Sequence, residues 1–180
     1  MTYYNGKDLA RNFRTVRKNT IQIAQDIPED KYGFRASPGS RTVAETLRHI
    51  AAQSGWQHQL HHVDKKSAMG FADFGAYMQK MGAFEASLSS KADIVKALES
   101  EGNHFAAYLD GISDQTLAET VSFPPPIEPS QKTRFEMLLS VKEHEMHHRA
   151  QLMVLQRMIG QVPHLTKARE QMQAAAAGQK

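Results

Sequence analysis

The sequence predicts an all-α protein, a four-helix bundle with long crossover connections. Side chains recur at helical spacing in four separate segments, and no segment shows the clear alternation of a β-strand. Two of the four segments begin with a capping box. The segments are joined by the long stretches 28–41, 66–90 and 112–132. Connections of this length can cross a bundle, so neighbours in sequence need not be neighbours in space.

The first two helices are predicted from spacing and from end signals. The first carries a stripe with alternating intervals of four and three residues, and Pro28 follows its end. The stripe consists of Leu9, Phe13, Val16, Thr20, Ile23 and Ile27. The second helix opens with TVAE, Thr42 to Glu45, in which the side chains of the first and last residues can cap each other's backbone N–H groups.

The other two helices are predicted over residues 91–111 and from the capping box TRFE, Thr133 to Glu136, to Gly160. Residues 66–90 leave room for one short helix. Residues 1–163 are therefore expected to form a single four-helix-bundle domain that binds metal. Residues 164–180 have helical propensity but almost no apolar face, which predicts a surface helix or a frayed tail.

Composition restricts the classes of function. The chain has no cysteine, which excludes disulfides, cysteine-based zinc sites, iron–sulfur ligation and a cysteine nucleophile. A net charge of +3 is too small to indicate a nucleic-acid partner, so none is expected. The basic cluster Arg11, Arg14, Arg17 and Lys18 lacks interleaved aromatic residues and is interpreted as a solvated helix face.

The chain also shows no sign of a membrane or secretory destination. No apolar run approaches the ~20 residues that a membrane-spanning helix needs. The first 19 residues lack the apolar stretch of a secretion signal. A cytoplasmic protein without a membrane partner is therefore expected.

A histidine pattern occurs twice, as HQLHH at residues 58–62 and as HEMHH at residues 144–148. In a helix the outer histidines of each copy lie on one face, which is a common start for a metal site. His144 and His148 fall mid-helix within the apolar stripe, where two unpartnered imidazoles would be costly to bury. His58 and His62 fall at a helix end, where solvated surface histidines are expected.

Two imidazoles rarely hold a metal alone, so a third ligand is needed. The candidates outside the fourth helix are His49, His58, His61, His62, His104 and His164. Periodicity does not single out one of them, because His49, His58 and His61 are equally plausible by their positions around the second helix. The residues by themselves leave this choice open.

Two long segments resemble the DinB/YfiT-like family. They are IPEDKYGFRASPGSRTVAETLRHIA at residues 27–51 and LLSVKEHEMHHRAQLMVLQRMIGQVP at residues 138–163. The resemblance implies a four-helix bundle with one divalent metal held by three histidines, which map to His49, His144 and His148. Ala150 stands where the family commonly has glycine. His147 and the extra residues around MGFADFGAYMQKMGAF leave the shape of the pocket undefined.

Three neutral imidazoles leave coordination positions open, which is typical of a catalytic metal site. We therefore expect a metal-dependent enzyme acting on a small molecule, as a thiol-dependent S-transferase, an isomerase or a hydrolase. The use of a thiol is implied by the family resemblance. This thiol must belong to a low-molecular-weight cofactor, because the chain has no cysteine. Zn or Ni is the first choice of metal, and Fe or Mn is also compatible. Gln53, Trp56 and Gln151 are the candidate substrate-binding residues.

Two other classes compete with this interpretation. The motifs Glu101-x-x-His104 and Glu145-x-x-His148 would suit the di-iron carboxylate site of a ferritin-like oxidoreductase. The second competing class is a non-catalytic protein that binds metal or acts in a stress response. The family resemblance, together with abundant apolar side chains, also predicts a homodimer.

Overall fold

The structure, a computed structural model, describes residues 4–178. Its helices and strands follow one another along the chain. They are α1 (Gly6–Asp26), a 3-10 turn (Glu29–Lys31), α2 (Val43–His58), a π-helical turn (Gln59–Val63), α3 (Phe71–Ser87), α4 (Lys91–Gly111), α5 (Asp114–Ala118), β1 (Thr120–Ser122), β2 (Gln131–Thr133), α6 (Arg134–Met158) and α7 (His164–Ala177).

The four long helices that the sequence predicts form the bundle. Helices α1 and α2 each pack against both α4 and α6, and α3 packs against α2. Consecutive bundle helices, α1 with α2 and α4 with α6, thus lie across the bundle from each other. The predicted four-helix bundle with crossover connections is confirmed.

The predicted capping boxes set the starts of two of these helices. The Thr42 hydroxyl accepts a hydrogen bond from the Glu45 N–H at 3.1 Å, and the Glu45 carboxylate accepts one from the Thr42 N–H at 2.7 Å. Thr133 and Glu136 make the same reciprocal pair at the start of α6. At the other end, Gly160 has a φ of 81°, a left-handed conformation that glycine adopts without steric strain.

Two expectations about the connections are wrong. The stretch 66–90 contains a 17-residue helix, α3, rather than one short helix. Strands β1 and β2 pair antiparallel, with Val121 opposite Lys132, where no strand is predicted. Each strand has three residues, which is too short for an alternating pattern to be recognised in the sequence.

The interpretation of Arg17 as part of a solvated face is also wrong. Its guanidinium is buried at the centre of the bundle and pairs with Glu145 of α6 at 2.9 Å. It also donates to the backbone oxygen of Leu98 on α4 at 2.7 Å and to the Ser54 hydroxyl on α2 at 3.2 Å. One side chain of α1 therefore bonds to the other three bundle helices. A charged group is buried here because it has partners for its donors.

Helix α7 lies on the surface and has no buried residue. His164 at its start approaches the Asn19 side chain of α1, with 3.3 Å between Nε2 and Oδ1. The division into a domain of residues 1–163 and a tail of residues 164–180 stays a proposal, and residues 1–3 and 179–180 of these ranges lie outside the described part. Among residues 4–178, none of the helices combines the length and the apolar composition that a membrane-spanning segment requires.

Candidate metal centre

Three histidines from two helices converge between α2 and α6. The Nε2 atom of His144 lies 3.2 Å from Nε2 of His49 and 3.2 Å from Nε2 of His148. One nitrogen of each ring lies within 4.8 Å of the other two. His144 and His148 are one helical turn apart on α6, and His49 faces them from α2. The structure thus brings together the three residues to which the family resemblance points.

The partners of the outer ring nitrogens decide which tautomer two of these histidines adopt. His49 Nδ1 lies 3.1 Å from a carboxylate oxygen of Glu85 on α3, and His148 Nδ1 lies 2.8 Å from the amide oxygen of Gln151. Both partners accept hydrogen bonds, so each neutral imidazole carries its proton on Nδ1. The Nε2 lone pairs of His49 and His148 therefore point toward the same place, as in histidines that ligate a metal.

The geometry fits a divalent ion bound by imidazole. Two nitrogens at about 2.1 Å from one ion, at a tetrahedral angle, are about 3.4 Å apart. The two Nε2–Nε2 separations of 3.2 Å agree with this value. Nδ1 of His144 is buried and has no hydrogen-bond partner among residues 4–178. A buried Nε2 lone pair needs a hydrogen-bond donor or a cation. One metal ion would bind the lone pairs of both His49 and His148.

All three imidazoles are held in the neutral form that a metal requires. Burial lowers the pKa of His49 to about 4, with smaller contributions from Arg41 and His148. Burial also lowers the pKa of His144 to about 4, and the neighbouring histidines add to this shift. The pKa of His148 is lowered by burial as well, although its hydrogen bond to Gln151 opposes the change.

Of the candidate substrate-binding residues, only Gln151 is hydrogen-bonded to this centre. Gln53 and Trp56 bond to each other, with the indole N–H donating to the Gln53 amide oxygen at 2.8 Å. Gln151 bonds to His148 and, through its amide nitrogen, approaches His147 Nε2 at 3.1 Å. Gln151 is therefore placed to orient an imidazole. A substrate-binding role for these residues stays a prediction.

Sequence reasoning missed Glu85, the carboxylate next to His49. It lies on α3, in the stretch that is predicted to contain only a short helix, and no local motif marks it. Burial raises its pKa, an effect that Arg41 and Arg48 oppose. Through Glu85, α3 is hydrogen-bonded to the three-histidine group.

The di-iron alternative lacks its carboxylates. Glu145, which this alternative requires as a ligand, is buried and paired with Arg17. Among residues 4–178, His49, His144 and His148 are the only group of three or more side chains arranged to hold an ion. Glu101 and His104 belong to no such group. The geometry therefore favours one ion bound by imidazole.

The second histidine pattern, HQLHH, is only partly on the surface. Helix α2 continues into the π-helical turn Gln59–Val63, which places His61 in the interior at 3% exposure. His61 Nδ1 lies 2.9 Å from a guanidinium nitrogen of Arg134, and its Nε2 lies 3.1 Å from the Gln57 amide oxygen. The burial of His61 was not predicted, because it depends on the helical turn that continues the chain beyond residue 58. His58 is half-buried, so the expectation that it is a solvated surface histidine is wrong. His62 is exposed, as expected.

Buried, neutral His61 should make the protein less stable in acid. Burial and Arg134 lower its pKa from 6.5 to about 3. Between these two pH values the histidine binds a proton in the unfolded chain and stays neutral in the folded protein. The free energy of unfolding should fall with decreasing pH by about 1.4 kcal/mol per pH unit from this group.

Urea denaturation between pH 4 and 6 in the presence of a chelator measures this effect. The free energy of unfolding should depend less steeply on pH in the His61→Gln protein than in the wild type, by about 1.4 kcal/mol per pH unit. His62→Gln serves as the control, because it removes an exposed neighbouring histidine. An equal slope in the wild type and the His61→Gln protein would contradict a neutral, buried His61.

Solved structures share this architecture. YfiT from Bacillus subtilis, described as a "probable metal-dependent hydrolase" with an unusual four-helix bundle topology, superposes with a TM-score of 0.67 at 14% identity, covering 89% of this chain and 91% of that chain. A protein from Exiguobacterium sibiricum described under the DinB family gives a TM-score of 0.63 at 19% identity, covering 89% of this chain and 94% of that chain. These identities establish the fold alone. The curated proteins include no significant match.

One structural relative overturns the exclusion of nucleic acid. The colibactin self-resistance protein ClbS, solved in complex with double-stranded DNA, matches with a TM-score of 0.63 at 12% identity, covering 87% of this chain and 98% of that chain. The small net charge predicts no nucleic-acid partner, and this prediction is therefore wrong. Net charge averages over the whole surface and does not report the local fields that bind phosphates.

The sequence itself matches a family model. The match to the DinB superfamily runs over residues 12–152, from α1 to α6, and includes all three converging histidines. It covers well over half of the chain. The chain belongs to the DinB superfamily.

Proposed function

We propose that the protein is a metal-dependent enzyme in which His49, His144 and His148 bind one divalent ion. The observation that carries this proposal is the convergence of three Nε2 atoms, two of them with lone pairs set by Glu85 and Gln151. Such hydrogen bonds to the outer ring nitrogens are a regular feature of metal-binding histidines. The description of YfiT as a hydrolase supports the same class of activity.

Within this class, we infer hydrolysis, isomerisation or transfer of a low-molecular-weight thiol, acting on a small molecule. A divalent ion would supply a Lewis acid that activates water or a thiol. The protein would supply neutral imidazoles, of which His49 and His148 are fixed in orientation by Glu85 and Gln151. Zn or Ni suits a site made only of imidazole, and Fe or Mn is compatible. A cytoplasmic location and a homodimer stay predictions of the sequence.

Metal analysis of protein purified without a nickel column tests the proposal. We expect close to one divalent ion per chain, because the described residues offer one converging set of three ligands. Treatment with a chelator should remove the ion, and dialysis against Zn²⁺ should restore it. A stoichiometry near two would favour the di-iron alternative, and no ion under any loading condition would favour a non-catalytic role.

Activity assays separate the candidate reactions. Metal-loaded protein is incubated with small electrophiles and esters, with and without a low-molecular-weight thiol. A hydrolase should act without the thiol, whereas an S-transferase should consume thiol and electrophile in equal amounts. Either activity should disappear after chelation, and activity that survives chelation would contradict a role for the ion.

A further inference from the structure

A small cavity lies against α2, one helical turn beyond His49. It has a volume of about 200 Å³ and is formed by α2, α3 and α4. Ala52, one helical turn beyond His49, lines it on α2, and Phe84, next to Glu85, lines it on α3. The cavity therefore adjoins the candidate metal centre along both helices. Drug-sized ligands occupy roughly 300–1,000 Å³, so this cavity suits a compact group.

The walls of the cavity are aromatic and fixed in place. The rings of Trp56 and Tyr77 lie 5.6 Å apart, centroid to centroid. The Trp56 indole donates to Gln53, and the Tyr77 hydroxyl donates to the Asp64 carboxylate. Each ring is thus held by its polar end, and part of each side chain lines the cavity. Aromatic faces attract cations as well as apolar groups.

A carboxylate without a partner lies in the same cavity. Glu101 of α4 lines it and makes no hydrogen bond or ion pair with any residue in the range 4–178. Its side chain lies across Gly55, where an added Cβ would come within 2.7 Å of Oε2. Glycine at this position therefore lets the carboxylate lie against α2. Lys80 also lines the cavity, but it is exposed and its charge lowers the pKa of Asp64.

We propose that this cavity binds a cationic group of the substrate, an ammonium or guanidinium on an apolar body, with Glu101 as its counter-ion. The assignment rests on the proposed function, because it places the rest of the substrate at the three-histidine centre. A half-buried carboxylate without a protein partner attracts a cation, and a cation can also contact the aromatic side chains that line the cavity. The substrate class is therefore a small organic cation.

Intrinsic fluorescence gives a direct measurement, because Trp56 is the only tryptophan in the chain. The full-length protein is titrated with 2-phenylethylammonium and, separately, with the neutral 2-phenylethanol. We expect a saturable change in Trp56 emission with the ammonium compound and binding at least tenfold weaker with the alcohol. Equal binding of both compounds, or of neither, would overturn the proposal.

Three variants locate the effect. Glu101→Gln removes the charge and should weaken ammonium binding at least tenfold without changing alcohol binding. Gly55→Ala displaces the carboxylate and should act in the same direction, in a protein whose helix propensity is improved. Glu99→Gln, an exposed change on the same helix, should bind the ammonium compound as the wild type does. An unchanged affinity in the Glu101→Gln protein would refute the assignment of the counter-ion.

The titration is repeated on chelator-treated protein to separate this proposal from the metal. The cavity does not include the three histidines, so ammonium binding should persist without an ion. If ammonium binds through Glu101 but no ion is ever found, the cation site stands and the proposed enzyme class fails. If the ion is bound but ammonium binding does not depend on Glu101, the cation site fails and the metal centre stands.

Discussion

The His144→Ala protein should bind no divalent metal. Its Nε2 atom lies 3.2 Å from those of both His49 and His148, so its loss leaves two imidazoles, which rarely hold an ion alone. His148→Ala and His49→Ala should have the same effect. Thermal denaturation with excess Zn²⁺ should show the loss as well, since an ion at 1,000 times its Kd stabilises the native state by about 4 kcal/mol.

The control for this series comes from the other histidine pattern. His58→Ala and His62→Ala should keep the ion and its stabilisation, because neither side chain belongs to the converging group. His49→Ala is the most informative variant, since His49 is 95 residues away from His144 in sequence. If His58→Ala removed the ion and His49→Ala kept it, the assignment of the third ligand would be wrong.

Replacement of Arg17 by methionine should cost about 3–5 kcal/mol in the free energy of unfolding, because it leaves the Glu145 carboxylate charged and unpaired in the interior. The two side chains are 5% and 2% exposed, so water cannot replace the lost partner. The oxygens of Leu98 and Ser54 lose a donor at the same time. Urea denaturation measures the change, which is a large part of the 5–15 kcal/mol typical of a domain.

A surface pair one turn earlier on α1 provides the matched control. Arg14 pairs with Asp110, and the two side chains are 48% and 43% exposed. Arg14→Met should therefore cost less than about 1 kcal/mol. The double variant Arg17→Met with Glu145→Leu should recover part of the loss, because no charge is then buried without a partner. Equal effects of Arg14→Met and Arg17→Met would contradict a structural role for the buried pair.

The bundle itself could be predicted from the sequence because its signals are local. A capping box joins residues three apart, as in Thr42 and Glu45, and an apolar stripe joins residues three or four apart. Such patterns set where α2 and α6 begin. The length of α3 cannot be predicted in this way, because only Tyr77 and Met81 among its residues are buried and it therefore has almost no apolar stripe.

Local spacing predicts only part of the candidate site. His144 and His148 are one turn apart in the apolar stripe of a single helix, so spacing alone made them candidates. His49 was not distinguished from His58 or His61 by periodicity, and the family resemblance made the choice. Glu85 carries no motif at all. The burial of Arg17 and of His61 could not be predicted for a related reason, since their partners Glu145 and Arg134 are 128 and 73 residues away.

By itself, the sequence determined four helices, the capping boxes of two of them and one histidine pair, because each depends on interactions between residues within a turn of one another. The tertiary structure decided which third histidine faces that pair, which carboxylate orients it, and which charged side chains are buried. These depend on how α1, α2, α3 and α6 are rotated and set against one another. Helix rotation and packing arise from contacts between residues far apart in the chain, which no local spacing encodes.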